Sequence, residues 1–309
     1  MLTNDKKSAP PRNGSGAKEN SSPLFSLLVA TVNRKEPLER LLDSLRRQTL
    51  PADSFEVLLA DQNEEGFLQP VLDAFSSALS IQVVRVPNKG VSQARNALLP
   101  YVRGEYVAFP DDDCFYEEDT LEKVKSFFEG HAAAHVIQGS WSDPADARQE
   151  CPGEGGQCTQ ADWSSVFRRG GSLVQFFRRE AVERIGPYDT VLGPGNGLPY
   201  GCGEDTDYLL RALEAGLCVM HVPAVHVRHK EADLSLSGNG LQKVQSYAAG
   251  RMYLLHKHRL PLWFQLAVIA YPLLRIPLEG GKAVRYRLAM FSARLKGFFL
   301  VRRVKCLAE

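Results

Sequence analysis

From Leu24 onward, short and almost uninterrupted apolar runs alternate with amphipathic helical stretches, and that alternation most constrains how this chain can fold. The runs are LFSLLVAT (24–31), FEVLLAD (55–61), IQVVRV (81–86) and EYVAFP (105–110). Between the first two, Leu38, Leu41, Leu42 and Leu45 recur at i, i+3, i+4 and i+7, which predicts a helix with one apolar face. Residues 67–79 and 90–100 also read as helical. The strands lack period-2 polarity, so both of their faces are buried, as in a parallel sheet with helices on either side. Such sheets bind ligands outside the carboxyl ends of their strands. Here those ends carry TVNR (31–34), DQNEE (61–65), NKG (88–90) and DDD (111–113), so polar and acidic residues gather at one rim.

With 309 residues, the chain accommodates one large α/β domain and an appendage, or two small domains. The net charge of +1 conceals an asymmetry. From Lys243 to the end there are 13 Lys/Arg against 2 Asp/Glu, which leaves 24 basic and 34 acidic side chains in the preceding residues. A basic block on an acidic body points to an anionic surface as partner. Within the block, LPLWFQLAVIAYPLL (260–274) is apolar but only about 15 residues long before Arg275, and Pro261 and Pro272 interrupt it. A spanning helix needs about 20 consecutive apolar residues. Residues 282–303 interleave Leu, Phe and Val with Arg and Lys. The segment therefore suits in-plane amphipathic helices with basic flanks, the alternative being a helical subdomain packed on the core with snorkelling arginines.

These boundaries divide the chain into a leader (1–23), an α/β domain (24–237) and a basic amphipathic helical tail (238–309). The leader is polar, rich in Pro, Gly, Ser and Asn, and has no apolar h-region, so it reads as disordered and not as a signal peptide. The six cysteines form no CxxC pair and no zinc-type spacing, as expected of reduced cytosolic thiols. Cys151 and Cys158 share one loop, but nothing else points to an oxidising compartment. Residues 141–172 read as a loop.

Three constellations carry chemistry. Asp111, Asp112 and Asp113 follow a buried run, where adjacent like charges need an offset. A solvated turn capping the next helix is one account. The other is a hard divalent cation, Mg²⁺ or Mn²⁺, held by two carboxylates and the phosphate oxygens of a nucleotide diphosphate. The second constellation is Glu204 and Asp205, at the point where a loop with five glycines between Gly193 and Gly203 becomes a helix. Acidic residues suit a first helical turn in any case. A loop so rich in glycine, however, is either flexible or pressed close to a ligand. The third is the group His221, His226 and His229. At strand spacing His226 and His229 face opposite sides, so at most one of them serves a given site.

In this order, SLLVATVNRKEPLERLLDSLRRQT, FEVLLADQN, NKGVSQARNALL, GEYVAFPDDD and GEDTDYLLRALEAG followed by VPAVHVRH resemble the family 2 glycosyltransferases of the GT-A fold. The resemblance covers about residues 24–230. It implies an α/β fold of GT-A type, a mostly parallel, Rossmann-like sheet flanked by helices, here with a C-terminal amphipathic helical extension. Residue by residue, it places Thr31, Asn33, Arg34, Asp61, Asn88, Gly90, Arg95, Asn96, Asp111 and Asp112 around a nucleotide-sugar donor. Val32 stands where the family commonly has an aromatic residue, and Gln62 where a second Asp often follows. Asp113, Asp111 and His229 match the metal positions, and Glu204 and Asp205 the pair that supplies the catalytic base, with Asp205 favoured.

The implied reaction is inverting, metal-dependent transfer of a single sugar from a nucleotide-diphosphate donor to a hydroxyl of a saccharide or lipid-linked saccharide. The Gln-x-x-Arg-Trp element of the family's processive polysaccharide synthases does not occur in the sequence. Trp141 and Trp163, in the 141–172 stretch, are the candidates for acceptor contacts. A peripheral position on the cytoplasmic face of an anionic membrane follows from the tail, and no nucleic-acid partner is expected. The rival readings are a nucleotidyltransferase-like enzyme, disfavoured because TVNRKEP has no glycine where a phosphate loop belongs, and a non-catalytic membrane-associated relative.

Overall fold

The computed structural model describes residues 22–145, 156–168, 171–230, 240–279 and 284–305. All but the last two positions of the expected leader, together with Cys151 and residues 238–239, 280–283 and 306–309 of the expected tail, lie outside them. The first four runs are strands β1 (Phe25–Thr31), β2 (Phe55–Asp61), β3 (Ile81–Arg85) and β4 (Tyr106–Ala108). They pair in parallel in the order β3-β2-β1-β4. β2 is buried along its whole length and β1 nearly so, which explains why their sequences do not alternate. The predicted helical segments are α1 (Lys35–Arg46), α2 (Gln69–Phe75) and α3 (Val91–Leu98). Leu38, Leu41, Leu42 and Leu45 of α1 are each fully buried.

The sheet continues from β4 through elements that only partly follow the expected pattern. After β5 (Cys114–Tyr116) and α4 (Thr120–Gly130) come β6 (Val136–Ser142), β7 (Thr159–Gln160), α5 (Trp163–Arg168), β8 (Gln175–Arg178), α6 (Arg179–Ile185), α7 (Glu204–Glu214) and β9 (Val219–His229). The order runs β3-β2-β1-β4-β8-β6-β9-β5, with β7 on β9. β8 is antiparallel to β4 and β6, while β5 and β7 are antiparallel to β9. Six of the nine strands share one direction, so the sheet is mostly parallel as expected, with a mixed half. Part of the stretch read as a loop is regular after all, since it holds the end of β6, β7 and α5.

Three helices follow: α8 (Gly240–Lys257), α9 (Leu262–Glu279) and α10 (Val284–Lys305). Ala249, Met252, Leu254 and Leu255 of α8 are buried in one cluster with Leu28, Val107, Phe177 and Tyr208 of the α/β body. α8 is thus part of the body. Asp207, fully buried in α7, fixes it there through Lys257 Nζ at 2.7 Å and His258 Nε2 at 2.9 Å.

Pro272 does not end α9, which runs on to Glu279 with Pro272 and Pro277 inside it. A helical proline leaves the carbonyl four residues back without its amide. For Pro272 that carbonyl belongs to Val268, and Arg294 Nη1 of α10 donates to it at 2.6 Å. Burial brings the Arg294 guanidinium down to about 10. Among the described residues, no helix is long and apolar enough to cross a membrane.

Candidate functional site

A cleft of about 660 Å³ opens at the carboxyl rim of the sheet. The topology converges on it. An isolated parallel bridge between Ala30 and Asp111 sets the acidic turn against the end of β1. From there the chain crosses to β5, where Cys114 pairs with His229 at the end of β9. That register brings His229 beside Asp113.

Asp111, Asp113 and His229 each offer one ligand atom, and these atoms lie within 4.8 Å of one another. His229 Nε2 is 3.1 Å from Asp113 Oδ1. Arg34 Nη1 donates to Asp112 Oδ1 at 3.0 Å and to Asp113 Oδ2 at 2.5 Å. Asp112 is therefore turned to the guanidinium and stands outside the three-residue group. Burial pushes the Asp112 carboxyl up to about 6 against the pull of Arg34. Burial also works upward on Asp113, but the hydrogen bond from His229 and the Arg34 charge outweigh it and hold that carboxyl at about 2.

Behind Asp111 lies Arg95, 1% exposed. Its Nη2 donates to Asp111 Oδ1 at 2.8 Å and to Ser172 Oγ at 2.7 Å, and Ser172 Oγ in turn donates to Asp111 at 3.1 Å. The guanidinium carbon stands 5.4 Å from the centre of the Tyr188 ring, and Nη1 is 3.9 Å from Glu204 Oε1. Burial, then the Asp205 charge, pushes the Glu204 carboxyl well above its usual range. The Asp205 carboxylate lines the same cleft and accepts from the Thr206 amide at 2.7 Å.

The glycine-rich loop is pressed against protein. Gly90 has φ +127°, and a Cβ there would lie 3.3 Å from Asn196 Cα. The Val91 amide donates to Pro194 O at 3.1 Å. Gly203, at φ +99°, is the left-handed residue from which α7 starts.

Of the residues singled out in the sequence, Thr31, Arg34, Gly90, Arg95, Asp111, Asp112, Asp113, Glu204, Asp205 and His229 line this cleft, as does Val32. Others stand back from it. Asp61 accepts from Asn63 Nδ2 and Arg85 Nη1, each at 2.7 Å, while the amide of Asn33 donates to Asn63 Oδ1 at 2.5 Å. The carbonyl of Asn88 accepts from Gln62 Nε2. Asn96 spends both ends of its carboxamide on the backbone of Tyr188, at 2.9 and 2.7 Å. Trp141 meets the His229 ring edge-on at 5.8 Å, and Trp163 packs on Phe264 of α9 at 5.1 Å. His226 is buried between Ser140 and Ser142.

Gln62, noted in the sequence only as a departure from the family's pattern, also lines the cleft, as do Lys89, Lys230, Lys243 and Tyr247, to which sequence reasoning gave no site role. Lys89 and Lys230 adjoin residues that were singled out, so proximity was the available signal. Lys243 and Tyr247 share one face of α8 at i and i+4, but that helix was read as tail.

A glycosyl transferase family 2 model matches residues 26–178. A PGL/p-HBAD biosynthesis glycosyltransferase of Mycobacterium tuberculosis is 30% identical over 216 residues, 65% of this chain and 75% of that protein. The chain belongs to glycosyl transferase family 2. Poly(ribitol-phosphate) beta-N-acetylglucosaminyltransferase TarS of Staphylococcus aureus is 28% identical over 109 residues, 35% of this chain but only 19% of that protein. Solved glycosyltransferase structures share the fold. TarS 1–349 in complex with UDP-GlcNAc superposes with a TM-score of 0.58 at 15% identity, covering 90% of this chain and 91% of that one. The mannosyltransferase PcManGT of Pyrobaculum calidifontis, in complex with GDP-Man and Mn²⁺, gives 0.54 at 17% identity, covering 94% and 76%. The expected α/β class, a mostly parallel sheet flanked by helices with C-terminal helices added, is borne out.

Proposed function

We propose that this family 2 protein is an inverting, divalent-metal-dependent glycosyltransferase that moves a single sugar from a nucleoside-diphosphate donor to a hydroxyl of a saccharide or lipid-linked saccharide. One observation carries the reading: Asp111, Asp113 and His229 come within 4.8 Å of one another in a cleft that Asp205 also lines. Two carboxylate oxygens and an imidazole nitrogen suit Mg²⁺ or Mn²⁺ bound together with phosphate oxygens. The cation would be held by Asp111, Asp113 and His229, and would neutralise charge growing on the diphosphate. The nucleotide sugars in the TarS and PcManGT complexes agree with such a donor.

The chain's own residues supply the rest. Thr31, Arg34, Gly90 and Lys89 border the donor, with Asn33, Asp61, Asn88 and Asn96 shaping the rim behind them. Arg95 keeps Asp111 in place from below. The Asp205 carboxylate takes the acceptor's O–H proton as that oxygen bonds to the anomeric carbon. The bond from that carbon to the diphosphate breaks on the opposite side, its electron pair leaves with the nucleoside diphosphate, and the configuration inverts. Burial works against a charge on Glu204 beside Asp205. Trp141, whose ring meets that of His229 edge-on, is the candidate for acceptor contact. Trp163, at the start of α5, packs on Phe264 of α9 and is not among the residues lining the cleft.

Residues 24–237 supply the chemistry, and residues 238–309 supply one wall of the cleft and the contact with an anionic membrane, on its cytoplasmic face. The test is a panel of UDP-, GDP- and dTDP-sugars with Mn²⁺, assayed for transfer and for slow donor hydrolysis. Turnover of one donor, abolished by chelation, is expected. No turnover of any donor overturns the reading.

A further inference from the structure

Beside the cleft lies a second cavity, of about 760 Å³, between the glycine-rich loop, α8 and α10. We propose that it holds the hydrocarbon chain of the acceptor. The proposal rests on the reading of the cleft as a transfer site for a lipid-linked acceptor, and adds where the lipid goes.

The walls are built by helix periodicity. Gln242, Gln245, Ser246 and Ala249 of α8 line the cavity at i, i+3, i+4 and i+7, and Ala293, Lys296, Gly297 and Leu300 of α10 do so at the same spacing. Each set is a single helical face. Small residues let the two faces come close: a Cβ at Gly297 would sit 3.0 Å from Ala249 Cα. Leu198 and Pro199 of the loop and Phe299 of α10 complete the lining.

The lining suits an alkyl chain. Among the described residues Lys296 is the only charged one in the lining, and Leu198, Phe299 and Leu300 are 47%, 55% and 38% exposed. Gln242, Gln245 and Ser246 add polar groups to the wall, and a hydrocarbon chain would cover the apolar remainder, surface already facing water. The volume falls within the roughly 300–1,000 Å³ of small-molecule sites.

Its position suits an acceptor in particular. Cleft and groove share α8: Lys243 and Tyr247 face the cleft, and the residues beside them, Gln242 and Ser246, face the groove. They also share the loop, where Gly195 and Gly201 border the cleft and Gly197 to Pro199 the groove. The Gly201 amide donates to Ser246 O at 3.3 Å, joining loop and helix where the two spaces adjoin. A head group at Asp205 can thus extend its chain over this partition. The groove's far wall, α10, also carries much of the positive charge that would draw the protein to an anionic bilayer, the source of such a chain.

The test is equilibrium binding of dansyl-undecanoic acid to the full chain below the probe's aggregation concentration, with shorter-chain analogues for comparison. One saturable site per chain is expected, its affinity rising by up to about fourfold for each added methylene. Gln245→Trp fills the groove from an exposed position, and Leu198→Asp places a charge in its wall; each should weaken binding at least tenfold. The two lie on different elements, so if one fails to fold, by circular dichroism and thermal melting, the other still decides. Binding that ignores chain length or is unchanged in a folded variant overturns the proposal. So does a groove closed by a second copy, seen as probe binding that rises on dilution as dimers dissociate. Nucleoside diphosphate binding with Mn²⁺ is measured separately. Its loss with probe binding intact defeats the transfer reading and leaves an alkyl site without an acceptor.

Discussion

Asp205 stands in the first turn of α7, its carboxylate oriented by the Thr206 amide at 2.7 Å. If it is the base, Asp205→Asn keeps the shape and that hydrogen-bond acceptor but loses the capacity to take a proton. Transfer should fall by about 10²–10⁴-fold, while donor affinity, measured by calorimetry, changes little. Near-native transfer would remove Asp205 from the role. Arg95 makes a different prediction, because it touches Asp111 from a fully buried position. Asp111 is itself 32% exposed, so losing its partner costs at most the lower end of the range for a broken buried pair, about 3 kcal/mol. Arg95→Met should lower unfolding free energy by up to that amount and weaken Mn²⁺ binding; a urea midpoint like that of the wild type would show the pair to be dispensable. These residues were legible in the sequence because strand ends and helix starts expose them together. Asn96 was less so: it was singled out by its motif position, but its carboxamide is committed to Tyr188, a partner 92 residues on. Ser172, which donates to Asp111, carried no signal, since an isolated serine before a strand has no distinguishing pattern.

At the scale of elements, β1 to β4 and α1 to α3 were readable because each carries its own period. β5 and β7 have three and two residues, too short for a period, and exist through pairing with β9. The attachment of α8 was hidden for a related reason. It depends on Asp207, which local sequence shows only as a first-turn acid. Asp207 receives Arg211 Nε, Lys257 Nζ and His258 Nε2, and His258 also meets Glu214, with Asp189 and Tyr253 close by. Burial works to lower the His258 pKa, but its hydrogen bonds to Asp207 and Glu214 outweigh this and raise it above 6.5. Its contribution to stability is therefore whole below pH 6.5 and is lost as pH rises through the elevated native value. Asp207 has the opposite sign. Burial raises it, the His258 and Lys257 hydrogen bonds prevail and lower it below 3.8, and its contribution is lost only as pH falls through that depressed value. The melting temperature of wild type should exceed that of His258→Gln by more at pH 5.5 than at pH 8.5. An equal difference at both would place the tie between α7 and α8 elsewhere.

For the whole molecule, the question is what the surface of α9 and α10 faces. α9 turns Ile269 inward, 4% exposed, yet its outer side is apolar too: Trp263, Leu274 and Leu278 are 66%, 67% and 74% exposed. A helix apolar all round is ordinarily covered by protein or lipid. The segment from Lys243 onward carries a balance of +11, from 13 basic and 2 acidic side chains, and each basic residue near an anionic membrane contributes about 1 kcal/mol. Exposed apolar side chains and positive charge together fit the proposed in-plane position on a membrane. Removing residues 238–309 is a poor test, because it would strip Met252, Leu254 and Leu255 from the core. Surface substitutions avoid that. The full chain should float with vesicles containing phosphatidylglycerol and not with pure phosphatidylcholine, and the bound fraction should fall as salt shortens the reach of the charges to about 3 Å at 1 M. Trp263→Ser, Leu274→Ser and Leu278→Ser together should abolish flotation without lowering the melting temperature, because all three side chains already face water. If the triple variant floats as well as wild type, α9 does not enter the membrane and the basic residues alone hold the protein there; if wild type does not float at all, the peripheral position is wrong.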